Sequence, residues 1–170
     1  MATSQMSDPR ELFLHELGDA LYAEQTLVKA LPKLQDEASD TELATGFGDH
    51  LEETKQHVEN LKLAFEELGE PAKAEKCPGI EGIKAEHDAF MQKERPSASI
   101  RDMFLTGAAA RAEHYEIAAY NGLISMARGL GERECVGLLD ENLKQEKAAL
   151  QLVESIGKRM AKDAKQMAHA

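Results

Sequence analysis

Apolar residues along this 170-residue chain recur at steps of three and four rather than alternating. That is the period of a helix with one buried stripe. The first run opens at SDPRE, where Asp8 can cap, Pro9 suits the first turn and Glu11 reaches back toward the cap. Phe13, Leu14, Leu17, Leu21, Val28 and Leu31 follow, and the pattern continues past Pro32 to about Ala38. SDTE at 39–42 is a second capping signature. The spacing after it predicts a helix from Thr41 to Leu68, with Leu43, Phe47, Leu51, Leu61 and Phe65 on its stripe. Gly69 and Pro71 close that helix.

Residues 69–97 break the rhythm with Pro71, Pro78, Gly79, Gly82 and Pro96, and a short helix is expected over Ile80–Gln92. The segment is longer than a turn between neighbouring helices needs, and has the scale of a crossover. SASIRD, where Ser99 and Asp102 offer a capping box, opens a third long helix that runs to about Arg128. GLGE at 129–132 is a short break, and a fourth long helix is expected from Glu132 to Ala161. The expected organisation is a flexible N-terminus at 1–7, one bundle domain at 8–162 and a frayed tail at 163–170. Two short-looped hairpins joined by one long connection give an all-α, ferritin-like four-helix bundle with a short extra helix in its crossover. A bundle with short loops throughout is the competing arrangement.

Composition narrows this further. Aromatics are 5% and Trp is absent, so the core is built from Leu, Ala, Ile, Val and Met. The net charge of −11 comes with no basic stripe, so nucleic acid is not an expected partner. An acidic field attracts cations, and it also simply confers solubility. Cys77 and Cys135 form no CxxC pair, which fits a reducing compartment. No apolar leader stands at the start, and no run approaches a membrane span of about 18 residues. A soluble cytoplasmic protein without a membrane partner is expected.

The informative residues are charges on the apolar seams. In the first helix, Leu17, Leu21, Glu24, Val28 and Leu31 share a stripe that Glu24 interrupts. The second helix carries Gly46, His50, Glu53 and His57 along one stripe; the third carries Ala109, Glu113, Glu116 and Tyr120; the fourth carries Leu139, Leu143, Glu146 and Leu150. One such Glu is more often a phase error than a ligand. Four at matching heights would repel one another and suffer large desolvation penalties unless divalent cations neutralise them. The usual dinuclear cage has one Glu on each of two helices and Glu-x-x-His on the other two. No Glu-x-x-His exists here. Glu53 and His57, four apart, also share a face, and His50 is another candidate. Oxygen-rich ligands with little imidazole suit iron or manganese better than copper or zinc. His57 is open between a ligand and a half-exposed histidine in the charged KQHVEN stretch. Glu116 is open between a ligand and a partner of one. His114 is turned about 100° from Glu113 and is read as surface. Tyr22 and Tyr120 are open between donors of hydrogen bonds near the site and core tyrosines with wet hydroxyls, and the second is the preferred reading.

LYAEQTL (21–27), HLEETKQH (50–57), AEHYEIAAYNGL (112–123) and LLDENLKQEKAA (138–149) together resemble the YciF/YciE-like bacterial family of ferritin-like, rubrerythrin-like stress proteins. The resemblance spans roughly residues 8 to 162. It implies a dimer and a dinuclear metal centre from Glu24, Glu53, Glu113, Glu116 and Glu146. His57 departs from it, since the family often carries Gln there. The expected function is a site for two iron or manganese ions, bridged by carboxylates, that reacts with peroxide or dioxygen in stress defence. Glu53 and Glu146 are candidate bridges, Glu24 and Glu113 are terminal or bridging, and the spacing leaves the assignment of the bridges open. The competing expectation is a non-enzymatic structural or adaptor protein whose metal only stabilises the bundle.

Overall fold

A computed structural model describes residues 5–167, with side chains through residue 164. The chain forms α1 (Pro9–Glu37), α2 (Thr41–Glu67), α3 (Pro78–Glu94), α4 (Ala98–Leu130) and α5 (Arg133–Met167). No strand occurs among the described residues. The all-α reading holds, with α1, α2, α4 and α5 as the long helices and α3 as the short one in the crossover. The last helix continues past Ala161 to Met167. Of the expected termini, residues 1–4 and 168–170 lie outside the described residues.

The helix starts show which polar side chains serve the backbone. Asp8 accepts the Arg10 N–H at 2.9 Å, and Pro32 leaves α1 unbroken. At the second start the cap is Asp40 rather than Ser39, with its carboxylate on the Leu43 N–H at 3.0 Å. The expected Ser99–Asp102 box does not form. The helix begins at Ala98 behind Ser97, which places Ser99 inside the first turn. Asp102 instead reaches across and accepts the N–H groups of Ser39 at 2.8 Å and Asp40 at 3.0 Å. Donors at a helix N-terminus lack intrahelical partners and favour negative charge, so a carboxylate from a neighbour satisfies them well.

Two apolar clusters fix the helix directions. One joins Phe13 and Leu17 at the start of α1 to Leu61 and Phe65 late in α2, Leu123 and Ala127 late in α4, and Leu139 early in α5. The other joins Leu31 late in α1 to Leu43 and Phe47 early in α2, Leu105 early in α4, and Ile156 in α5. So α1 and α5 run one way while α2 and α4 run the other. Parallel α2 and α4 require a return along the bundle, and residues 68–97 supply it. On this path α3 lies over α1 and α4, where Cys77 and Ile80 pack on Ala23 and Ala112. Its approach is close: a Cβ on Gly79 would stand 2.5 Å from the Tyr115 ring. Between the two apolar clusters lies a buried polar layer of Glu24, His50, Thr54, His57, Glu113, Glu116, Asn142 and Glu146.

Candidate metal centre

Each long helix contributes to this layer: α1, α4 and α5 each bury Glu near mid-height, and α2 buries His50 and His57. Three of the buried carboxylates, with two histidines, form two triads. Glu24, His57 and Glu146 make one; His50, Glu113 and Glu146 make the other. Within each triad the ligand atoms lie within 4.8 Å of one another. Glu146 belongs to both, with a different oxygen in each. Its Oε1 is 2.9 Å from His57 Nδ1, and its Oε2 is 3.6 Å from His50 Nε2. Glu24 Oε1 lies 3.3 Å from His57 Nδ1, and Glu113 Oε1 lies 3.5 Å from His50 Nε2.

The outer nitrogen of each imidazole is held by an oxygen. His57 Nε2 donates to Gln145 Oε1 at 2.7 Å, and His50 Nδ1 donates to Glu53 Oε2 at 3.2 Å. An amide or carboxylate oxygen only accepts, so a neutral ring keeps its proton outside and turns a lone pair inward. Glu53, expected as a bridge, therefore stands outside both triads with its side chain 38% exposed. Thr54 fills the seam instead and spends its hydroxyl on the His50 carbonyl at 2.7 Å. Glu116 is buried in the same layer but joins neither triad. His114 faces outward with its side chain 64% exposed, as its angle on the helix requires.

Tyr120 corrects a sequence expectation. Its hydroxyl is not wet: it is buried and donates to Glu24 Oε1. Asn142 Nδ2 donates to that hydroxyl at 3.0 Å, and Asn60 Nδ2 donates to Asn142 Oδ1 at 2.8 Å. The reason is position. Tyr120 sits one turn beyond Glu116 on the inward face, where a phenol must find a partner in the protein. Tyr22, by contrast, leaves the layer and bonds Glu81 of α3 at 2.6 Å. Asn142 and Gln145 were missed by sequence reasoning. Asn142 had a signal, since it lies four residues before Glu146 on the same face.

The charge balance of the layer is unusual. Among the described residues, the ion pairs of Glu24, Glu113 and Glu146 are with histidines, not with Lys or Arg. Burial raises the pKa of Glu24, and raises those of Glu113 and Glu116 well above the ordinary carboxylate range; the neighbouring Glu146 adds to each shift. Burial pushes Glu146 the same way, but His57, Glu113 and His50 hold it low. Burial also opposes a charged His57, yet Glu146 and Glu24 outweigh it and raise the ring to about 10. In the metal-free chain a proton on His57 thus supplies positive charge where carboxylates converge.

Hydrogen bonding does not satisfy the layer. Glu24 Oε2, Glu113 Oε2, both oxygens of Glu116, both of Glu146 and His57 Nδ1 have no hydrogen-bond partner. The close His57–Glu146 contact is off the line of a hydrogen bond, so it relieves neither atom. An orphaned buried polar group costs roughly 1–3 kcal/mol, and more if charged. Orphans on five residues around one place form a donor set. These buried carboxylate and histidine groups could hold metal, and the oxygen and imidazole chemistry fits a divalent ion. A cleft of about 200 Å³ reaches the layer from outside, lined by His50, Glu53 and Glu113 among others. No helix among the described residues is long and apolar enough to cross a membrane.

Known proteins agree with this frame. The family described as Domain of unknown function (DUF892) matches residues 8–166. Protein YciF of Escherichia coli K12 is 37% identical over 144 residues, which is 84% of this chain and 86% of that protein. The crystal structure of the E. coli stress protein YciF superposes with a TM-score of 0.87 at 33% identity, covering 92% of this chain and 99% of that one. A structure from Rhodopseudomonas palustris, YcfI, described provisionally as a structural protein, gives 0.87 at 36% identity, covering 91% of this chain and 98% of that one. The resemblance to YciF carried by the four helical stretches is therefore borne out. Through the match over residues 8–166 and its likeness to the E. coli stress protein, this chain belongs to the DUF892 family.

Proposed function

We propose that the chain holds two iron or manganese ions in its buried layer and acts in stress defence by reacting with peroxide or dioxygen. The observation that carries this reading is Glu146, which offers one oxygen to each of two triads. Glu24 and His57 complete one half and His50 and Glu113 the other, with Glu116 as a reserve carboxylate beside them. A pair of redox-active ions there would supply electron exchange with a small oxidant. The protein's own part is to fix the ligands. Gln145 and Glu53 set the imidazole lone pairs inward, while Tyr120 and Asn142 hold Glu24. The apolar clusters on either side keep bulk water out. Proton balance belongs to the same residues: His57 gives up its extra proton when the site fills.

A homodimer in a reducing compartment forms part of this reading. Two free, buried cysteines and the half-exposed Leu12 and Leu63 on the α1–α2 hairpin support it. The second reading, a structural protein with a stabilising metal, draws on the description given to the Rhodopseudomonas relative.

One experiment separates them. The chain and Glu146→Gln are purified from iron- or manganese-supplemented cells, metal per chain is measured, and peroxide is added while oxygen and peroxide are followed. Two metals with peroxide consumption in the parent, and loss of both in the variant, support the redox reading. Metal without turnover favours the structural one. A parent chain without metal refutes the site.

A further inference from the structure

The two halves of the layer differ in how they meet solvent. Glu24 is 1% and His57 0% exposed, and the Tyr120–Asn142–Asn60 hydrogen-bond chain closes around them. The other half opens on the cleft of about 200 Å³, whose wall includes His50, Glu113, Ala149 and Leu152. Glu113 is 5% exposed and keeps Oε2 without a partner at the inner end. Glu53 and the exposed Asp49 also line the cleft, and among the described residues no Lys or Arg does. A channel walled by one sign of charge concentrates cations and turns anions away.

We propose that this cleft is the loading and exchange route for a divalent cation. Asp49 and Glu53 receive the ion at the mouth, and the His50–Glu113–Glu146 triad is the exchangeable half of the site. The Glu24–His57–Glu146 triad is the retained half, because any ion there must pass the first triad or disrupt the Tyr120 chain. Glu53 thus has two tasks, receiving the cation and orienting His50, which accounts for a carboxylate standing beside the triads rather than within them. Neutral peroxide can use the same cleft, whereas an anionic substrate is excluded by its charge. The inference rests on the proposed dinuclear site.

The test uses the full chain loaded with Mn(II) and diluted into excess chelator, with release followed by stopped flow and total metal by mass spectrometry. Release in two phases of equal amplitude is expected. Ala149→Met, which puts a longer side chain into the cleft, should slow the fast phase and leave the slow phase and the total bound unchanged. Asp49→Asn, an exposed change safe for folding, should slow uptake at low ionic strength, with the difference closing at high salt. Two metals released in one phase, or a fast phase unchanged in Ala149→Met, overturn the cleft while leaving the site standing. Uptake insensitive to Asp49→Asn overturns the receiving role. A parent chain that binds no metal overturns the proposed site itself.

Discussion

Glu116 offers the sharpest check on the charge balance of the buried layer. Both of its oxygens are buried without a hydrogen-bond partner, and its pKa is raised by burial first and by Glu146 and Glu24 next. In the metal-free protein this carboxyl is therefore a liability. Glu116→Leu removes the orphaned atoms and puts an apolar side chain of similar bulk in their place. Relief of one unsatisfied buried group is worth about 1–3 kcal/mol. At about 2–4 °C per kcal/mol for a domain of this size, the melting temperature in EDTA should rise by roughly 2–12 °C. The measurement is thermal unfolding followed by circular dichroism, with urea midpoints as a second reading. If the metal-free variant melts below its parent, the carboxyl has a partner and the donor-set reasoning fails at this residue. Repeating both melts with saturating Mn(II) shows which role Glu116 takes. As a ligand its loss should reverse the order of stability; as a bystander the variant stays ahead.

The pH dependence of stability should change sign with metal. Glu24, Glu113 and Glu116 have folded pKa values above the ordinary 4.5, so the folded chain holds more protons than the unfolded one above that pH. His57 adds stability fully present below 6.5 and lost as pH climbs toward about 10. Both effects make the metal-free protein less stable as pH rises, while Glu146, lowered, contributes stability lost only as pH falls below its ordinary 4.5. With metal the trend should invert, since filling the site releases protons. Urea midpoints at pH 6 and 9, with EDTA or Mn(II), check this; a metal-free protein more stable at pH 9 contradicts it. Asp102→Ala should cost about 2–4 kcal/mol by removing two charge-assisted bonds to the Ser39 and Asp40 N–H groups. A urea-derived loss below about 0.5 kcal/mol would mean water replaces the carboxylate there.

The helices were legible because their apolar periodicity and their Gly and Pro punctuation agree. Gly69 and Gly131 both take left-handed backbone where a helix stops, with φ of 70° and 83°. The placement of α3 in the crossover follows from the same signals. What local reading could not give was the partner of a polar residue that reaches across helices. Ser99 and Asp102 have the spacing of a local cap, yet Asp102 serves another helix start. Periodicity put Glu24, Glu113, Glu116 and Glu146 inward, and all four are buried. Glu53 and Thr54 show its limit. They are adjacent, on either side of the line through His50 and His57, and only packing decides which of the two faces the layer. Tyr120 failed for a related reason, because the depth of a hydroxyl depends on neighbours that no single stripe specifies.

Both triads straddle the two hairpins. Glu24, His50 and His57 come from α1 and α2, whereas Glu113 and Glu146 come from α4 and α5. Chain connectivity between these halves runs through residues 68–97 alone. A protease cut in the exposed stretch before α3 would leave two separate hairpins still facing one another across an acidic seam. Such fragments would still be joined by the two apolar clusters that span both hairpins, and an ion held by Glu146 together with Glu24 and His57 would add a clasp that depends on metal.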